Sequence, residues 1–257
     1  MESMAMIEDE RRIEGDGTPL DTWLGWPALA TLPTFDLEAR IANGRRVVVV
    51  APHPDDEILG CGALLQQCHA LGRELLMLSV TDGTGSHPDS TRWPPERLAA
   101  TRPEESQRAL ACLGLDDIAT IRLRLPDTQV ATEKAELAFR LHQVLRDDDV
   151  IVTTWRGDGH ADHEAVGEVC AKLLKESQRT LLEMPIWMWH WATPDDPRVP
   201  WHRACRLPAA PAEIERKQRA MLEHVSQCEP DPSTGRPPIL SAQALARLMQ
   251  NHEVVLT

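Results

Sequence analysis

The sequence predicts an α/β fold: one domain built on a mainly parallel sheet with helices on both faces. Three observations carry this. The run Arg45–Ala51 (RRVVVVA) is continuously apolar and β-branched, the pattern of a strand buried on both faces. Comparable runs recur at Glu74–Asp82 (ELLMLSVTD) and Asp149–Trp155 (DVIVTTW), with an alternating one at Thr120–Leu125. Segments of helical periodicity fall between them, and strands alternating with helices imply βαβ units and therefore parallel pairing.

Taken in order, residues 1–40 read as an irregular N-terminal extension, broken by Pro19, Pro27 and Pro33, that lies as a tail or strap over a domain of residues 41–257. After the first strand a helix is expected over Glu57–Leu71, closed by Gly72. A polar loop from Gly83 to about Trp93 follows the second strand. Helices are expected at Pro103–Leu113, where Gly114 stops the chain, and at Thr132–Arg146. Asp147-Asp148-Asp149 reads as a solvated turn before the next strand, and the glycine-containing loop Arg156–Asp162 leads into a helix over Glu164–Glu176. Leu181–Trp191 reads as extended. Its Trp187, Trp189 and Trp191 then share one face, either packed in a core or interface or forming a wall for a sugar ring. Glu213–His224 and Ala242–Met249 complete the helices, with Lys217 on a charged face unless the late segment folds back over the crevice.

Composition narrows the function. Of 257 residues, 27 are Lys or Arg and 40 are Asp or Glu, a net charge of -13 that does not suit a phosphate backbone, so no nucleic-acid partner is expected. The first residues are acidic, with no apolar region of a secretory signal, and no apolar run reaches the roughly 18 residues of a membrane span. Six cysteines are scattered without a CxxC pair, which suggests buried thiols rather than disulfides or a zinc ribbon, and a reduced, cytoplasmic setting.

The chemistry concentrates at two strand ends. Ala51-Pro52-His53-Pro54-Asp55-Asp56-Glu57 lies where the first strand gives way to a helix, and in open α/β sheets the crevice beyond the carboxyl ends of the strands is where ligands bind. A turn opening a helix can aim His53 and Asp56 at one point while Asp55 points elsewhere. The second cluster, Asp158-Gly159-His160-Ala161-Asp162-His163-Glu164, follows the DVIVTTW strand and faces the same crevice. His163 would complete a His-His-Asp metal site with open positions, leaving Asp55 as a general base and His160 as a proton donor or oxyanion stabiliser. Carboxylates also cap helices, so either cluster alone has a plain structural explanation. Two clusters at two strand ends of one sheet do not. His87-Pro88-Asp89 echoes the first cluster without its second carboxylate and reads as a polar loop facing substrate.

HPDDE after a VVVVAP strand, followed by HADH, resembles the PIG-L/LmbE-like family of zinc-dependent N-acetylglucosaminyl deacetylases. Val80-Thr81-Asp82-Gly83, Arg102 with Glu105, Ala109 and Leu113-Gly114, Leu125-Pro126-Asp127, and the late set Lys217, Ala220, His224, Ser226 and Gln227 extend the likeness over about residues 45–228. The resemblance implies a Rossmann-like fold and one zinc ion per chain, with iron able to fill similar ligands. It implies His53, Asp56 and His163 as ligands, Asp55 as base, His160 as acid or electrostatic stabiliser, and Arg102 and Asp127 as sugar contacts. The implied reaction is hydrolysis of the N-acetyl amide of an amino-sugar conjugate by water activated at the metal. A homo-oligomer is left open.

The chain departs from that pattern in two places. HADH replaces HPDH without removing a ligand, and there is no tyrosine anywhere to take the oxyanion role it has in some members. That role would pass to the metal, His160 and Arg156. Two further readings stand beside the deacetylase: an amidase acting on another N-acyl sugar or small acylated metabolite, and a decayed protein that only binds metal or sugar.

Overall fold

The computed structural model describes residues 11–174 and 177–257. Seven strands form one sheet: β1 (Val47–Ala51), β2 (Leu75–Thr81), β3 (Ala119–Leu125), β4 (Val150–Thr154), β5 (Thr180–Met184), β6 (Ala204–Pro208) and β7 (His252–Leu256). Their order is β3-β2-β1-β4-β5-β7-β6; the first five are parallel, and β7 pairs antiparallel with both β5 and β6. The five buried residues of β1 and of β4 explain their continuously apolar sequences, since helices cover both faces. The antiparallel β6–β7 edge has no counterpart in the sequence reading. No helix among the described residues is long and apolar enough to cross a membrane.

The extension is more ordered than expected. Short helices at Leu20–Leu24, Pro27–Thr31 and Leu37–Arg40 punctuate residues 11–40, and Trp23 and Phe35 are buried against the domain. Residues 1–10, including the acidic start, lie outside the described residues, as do residues 175 and 176 at the end of the helix expected over Glu164–Glu176; the observed helix is Ala161–Lys172.

Other boundaries move for identifiable reasons. The helix expected from Pro103 begins at Pro95 and runs to Cys112, with Pro103 inside it. A proline there leaves the carbonyl four residues earlier without its helical donor, and Arg122 supplies one, its Nη2 donating to the Ala99 carbonyl at 3.1 Å. Asp149 is not solvated: it is fully buried and accepts from Arg46 Nε at 3.0 Å and Nη2 at 2.7 Å. The tryptophan-rich segment is not extended throughout, because β5 ends at Met184 and Met188–Trp191 is a helical turn. Trp189 therefore packs edge-on against Trp23, with ring centres 4.9 Å apart, while Trp191 donates to the Asp158 carbonyl at 2.8 Å. All six cysteines are free, four of them buried.

Lys217 is buried at 1% exposure rather than lying on a charged face. The helix Asp56–Ala70 departs from helical geometry at Cys61 (φ −141°, ψ 23°), which frees backbone groups in a dry interior. Lys217 Nζ donates to the Leu59 carbonyl at 3.0 Å and to Glu253 Oε1 at 2.6 Å. Glu253 in turn accepts the amides of Ala63 at 2.8 Å and Leu64 at 2.9 Å. The ion pair thus stands in for the missing helical bonds. Removing one partner of a buried pair costs about 3–5 kcal/mol, so Glu253→Ala is expected to lower the urea midpoint accordingly. The double variant Lys217→Met/Glu253→Leu should stay well below wild type, because the backbone groups would still lack partners.

Candidate active site

β1 and β4 are neighbours, paired from Val47↔Val150 to Val50↔Thr153, so the segments that leave them start side by side. This is the switch point of the sheet, where one connection turns to each face and a crevice opens. Both clusters stand in it and line one cavity of about 610 Å³, together with Arg102 and Asp127.

The structure brings His53, Asp56 and His163 together. Asp56 Oδ2 lies 3.3 Å from His53 Nδ1, and its Oδ1 lies 3.3 Å from His163 Nε2. The ring of His160 is 4.9 Å from that of His53 and 4.8 Å from that of His163, centre to centre. His163 Nδ1 donates to Asp158 Oδ2 at 2.8 Å, which leaves the Nε2 lone pair facing the cluster. Nε2 is buried and has no hydrogen-bond partner. On the far side of His53, Nε2 approaches Asp127 Oδ1 at 3.1 Å and Asp162 Oδ2 at 3.3 Å. Carboxylates so placed can orient the imidazole ring, and with His53 they also form a second group whose atoms could hold a metal. An orphaned imidazole nitrogen, a second imidazole and a shared carboxylate, with open space beside them, fit a divalent metal such as zinc.

Charge points the same way. Burial disfavours a charged His53, but Asp127, Asp162 and Asp56 outweigh it and hold its pKa well above the usual histidine value. The site attracts positive charge. Asp56 resists the upward push of burial through its closeness to His163 and its hydrogen bonds to His53, and stays far below the ordinary carboxylate range. His160 is lowered to about 3, first by burial and then by His163 and His53, so it is neutral. Its Nδ1 accepts from the Asp162 amide at 3.3 Å, which places the proton on Nε2.

Asp55 does not cap its helix. Its side chain makes no capping bond, and the backbone at φ 155°, ψ −28° lies where residues with side chains are rarely found. Its Oδ2 instead accepts from Arg102 Nη2 at 2.9 Å, and its amide donates to Glu57 Oε2 at 3.0 Å. Glu57 Oε1 accepts in turn from the Ser106 hydroxyl. Arg102 also donates to the carbonyls of Pro54 at 3.1 Å and Gly83 at 2.9 Å. Only glycine serves at position 83, where φ is +65° and a Cβ would fall 2.0 Å from Arg102 Nη1. Burial pushes the Asp55 carboxyl up to about 6 against the pull of Arg102.

Arg102 and Asp127 are at the cavity, but their polar atoms are largely engaged by the protein. Asp127 accepts the amides of Thr128 at 2.9 Å and Gly85 at 2.6 Å besides facing His53. Arg156 is turned away, pairing with Glu183 through Nε and Nη2 at 2.8 Å each, so it supplies nothing to an oxyanion. His87 bonds Ser86 and joins no metal-binding group among the described residues.

Sequence reasoning gave no part to Asp162 or to the true task of Asp158. Asp158 is fully buried and accepts the amides of Ile186, Trp187 and Met188 at 2.9 Å each, as well as His163. Those bonds curl the chain after β5, which is why the tryptophans do not alternate. The spacing of the acidic residues within DGHADH was the available signal.

The model of the family described as PIG-L, GlcNAc-PI de-N-acetylase, matches residues 48–174. A 1D-myo-inositol 2-acetamido-2-deoxy-alpha-D-glucopyranoside deacetylase of Kineococcus radiotolerans is 27% identical over 52% of this chain and 46% of its own length. A probable N-acetyl-alpha-D-glucosaminyl L-malate deacetylase 2 of Bacillus anthracis is 29% identical over 51% of this chain and 60% of its own. The chain thus spans about half the length of these relatives. The fold is shared with N,N'-diacetylchitobiose deacetylase from Pyrococcus horikoshii, at a TM-score of 0.56 and 20% identity over 75% of this chain and 74% of that one. The matched region, residues 48–174, holds both strand-end clusters and is similar to the PIG-L/LmbE-like family over that span.

Proposed function

We propose that this protein is a metal-dependent hydrolase that removes the N-acetyl group from an N-acetylglucosamine-type conjugate. The observation that carries the proposal is Asp55: a buried carboxylate beside the His53–Asp56–His163 cluster that neither caps its helix nor pairs with those histidines, and is aimed by Arg102. A site built only to bind metal has no use for it.

Zinc is the metal we assign, with iron as a second occupant of similar donors; when bound it supplies Lewis acidity toward the amide carbonyl and toward water. Asp55 Oδ takes a proton from the attacking water and returns it to the leaving nitrogen, so that acetate and a free amine result. His160, neutral and carrying its proton on Nε2, donates to the oxyanion and does the work a tyrosine hydroxyl would otherwise do. Arg102 holds Asp55 in place, and Asp127 with Asp162 fixes the ring of His53.

The test is release of primary amine from a panel of N-acetylglucosaminides by zinc-reconstituted protein, with metal content measured alongside. Asp55→Asn is expected to retain metal and lose about 10²–10⁴-fold in kcat, whereas His163→Ala should lose the metal. Full activity in Asp55→Asn would remove the base. Silence across sugars and acyl groups, with metal and sugar still bound, would favour a binding protein.

A base must be deprotonated to work, so kcat/KM should fall as the pH drops through about 6, the value to which burial raises Asp55. Arg102 pulls that value down, so Arg102→Gln should move the acid limb to higher pH. A pH–rate profile of both proteins measures the sign.

A further inference from the structure

The cavity is larger and less uniform than the reacting group requires. At about 610 Å³ it lies within the roughly 300–1,000 Å³ of pockets that enclose drug-sized ligands. Its floor carries the ionisable residues described above. The apolar part of its wall is built from Ile13, Leu59, Trp187, Pro238, Ile239 and Leu240, beside polar residues that include Ser86, Thr128 and Gln227. Ile239 keeps 38% of its surface exposed, an apolar area that a ligand would cover.

The polar side chains that share this wall are mostly engaged elsewhere. His190 Nδ1 accepts from Arg247 Nη2 at 2.9 Å and its Nε2 donates to the Glu14 carbonyl at 3.0 Å, so both ring nitrogens are used. Ser241 Oγ accepts the Ala244 amide at 3.2 Å, and Gln227 Nε2 donates to Ser226 Oγ at 2.9 Å. Asp16 and Thr128 are exposed and are the exceptions.

Part of the wall comes from the N-terminal strap, which is firmly held. Arg247 Nη1 donates to the carbonyls of Asp16 at 2.8 Å and Thr18 at 3.1 Å, and the Thr18 amide donates to the His190 carbonyl at 2.8 Å. Between them Gly17 has φ +64°, and a Cβ there would fall 2.6 Å from His190 Cγ, so the strap passes where only glycine can.

We propose that the substrate carries an apolar alkyl or aryl group beyond the reacting sugar, and that Ile13 of the strap with Trp187 and Ile239 determines this specificity. The proposal rests on the deacetylase reading, whose acyl-transfer chemistry it leaves unchanged. A buried methylene contributes roughly fourfold in affinity, so even a partly covered chain has a measurable effect.

The experiment compares methyl, butyl and octyl 2-acetamido-2-deoxyglucosides, below their micellar concentrations, with wild type, Ile239→Asp and, independently, Ile13→Asp. The expected result is a rise in kcat/KM of at least about tenfold from methyl to octyl, with the octyl-to-methyl ratio falling toward one in both variants. A ratio near one in wild type, or a rise that both variants leave intact, overturns the proposal. Absence of turnover with every glycoside would instead strike the deacetylase reading. Calorimetry with the methyl and octyl 2-amino-2-deoxyglucosides then decides the wall alone: octyl binding tighter by about tenfold and weakened in the variants supports it, and equal binding overturns it.

Discussion

The pairing of β1 with β4 is the constraint from which the site follows. The groups that could hold a metal draw on both clusters, since one brings His53 and Asp56 and the other His160, Asp162 and His163. In-register pairing up to Val50↔Thr153, reinforced by the Thr153 hydroxyl donating to the Val50 carbonyl at 2.7 Å, sets the two chain exits next to each other. Because the sheet's connections diverge to opposite faces at this point, no helix fills the space between the exits. The crevice is a consequence of topology, and the residues that follow the two strands inherit it.

Concentrating so many ionisable groups in a dry crevice is costly unless each has a partner. The protein meets the cost with a surrounding layer of hydrogen bonds that also fixes geometry. Asp158 spends its carboxylate on three consecutive amides and on His163, thereby joining the loop after β4 to the chain after β5. Asp162 takes the amides of Thr128 at 2.8 Å and Val130 at 3.1 Å and presses against His53, tying in the loop after β3. Glu105 accepts both the amide and hydroxyl of Ser226, which anchors the late segment to the helix that carries Arg102. Against this background the groups left without partners stand out, above all His163 Nε2. A metal would satisfy that atom, while Arg102 Nε and both ring nitrogens of His224 are likewise buried without a hydrogen-bond partner.

The parts of this arrangement that were legible in sequence are those governed by short-range rules. Four valines in a row read as a doubly covered strand because that environment admits little else, and the meeting of His53, Asp56 and His163 could be expected because strand ends and helix starts bracket them. What escaped depends on partners distant in the chain. The helical turns before Pro103 are invisible locally, since a proline argues for a helix start unless Arg122 is known to take the freed carbonyl of Ala99. The three tryptophans follow a strand's period, yet Asp158 curls their backbone from 28 to 30 residues away. Lys217 sits in a strongly charged stretch, and only the irregular turn at Cys61, on another helix, explains its burial.

The division between chemistry and selectivity follows the same boundary. The proposed ligands, Asp55, Arg102 and Asp127 all fall within residues 48–174, the part that matches the family model. Of the apolar wall residues only Leu59 does; Ile13 precedes that region, and Trp187, Pro238, Ile239 and Leu240 follow it. Strand-end residues are held by the sheet and can hardly move without losing the metal site, so substitution there is tightly constrained. A strap fixed by Arg247 and His190, and a segment whose Ile239 remains exposed, can change their side chains without disturbing β1 and β4. A rigid centre lined on its far side by independently supported segments is therefore a means by which the proposed hydrolytic site can be fitted to different substrates.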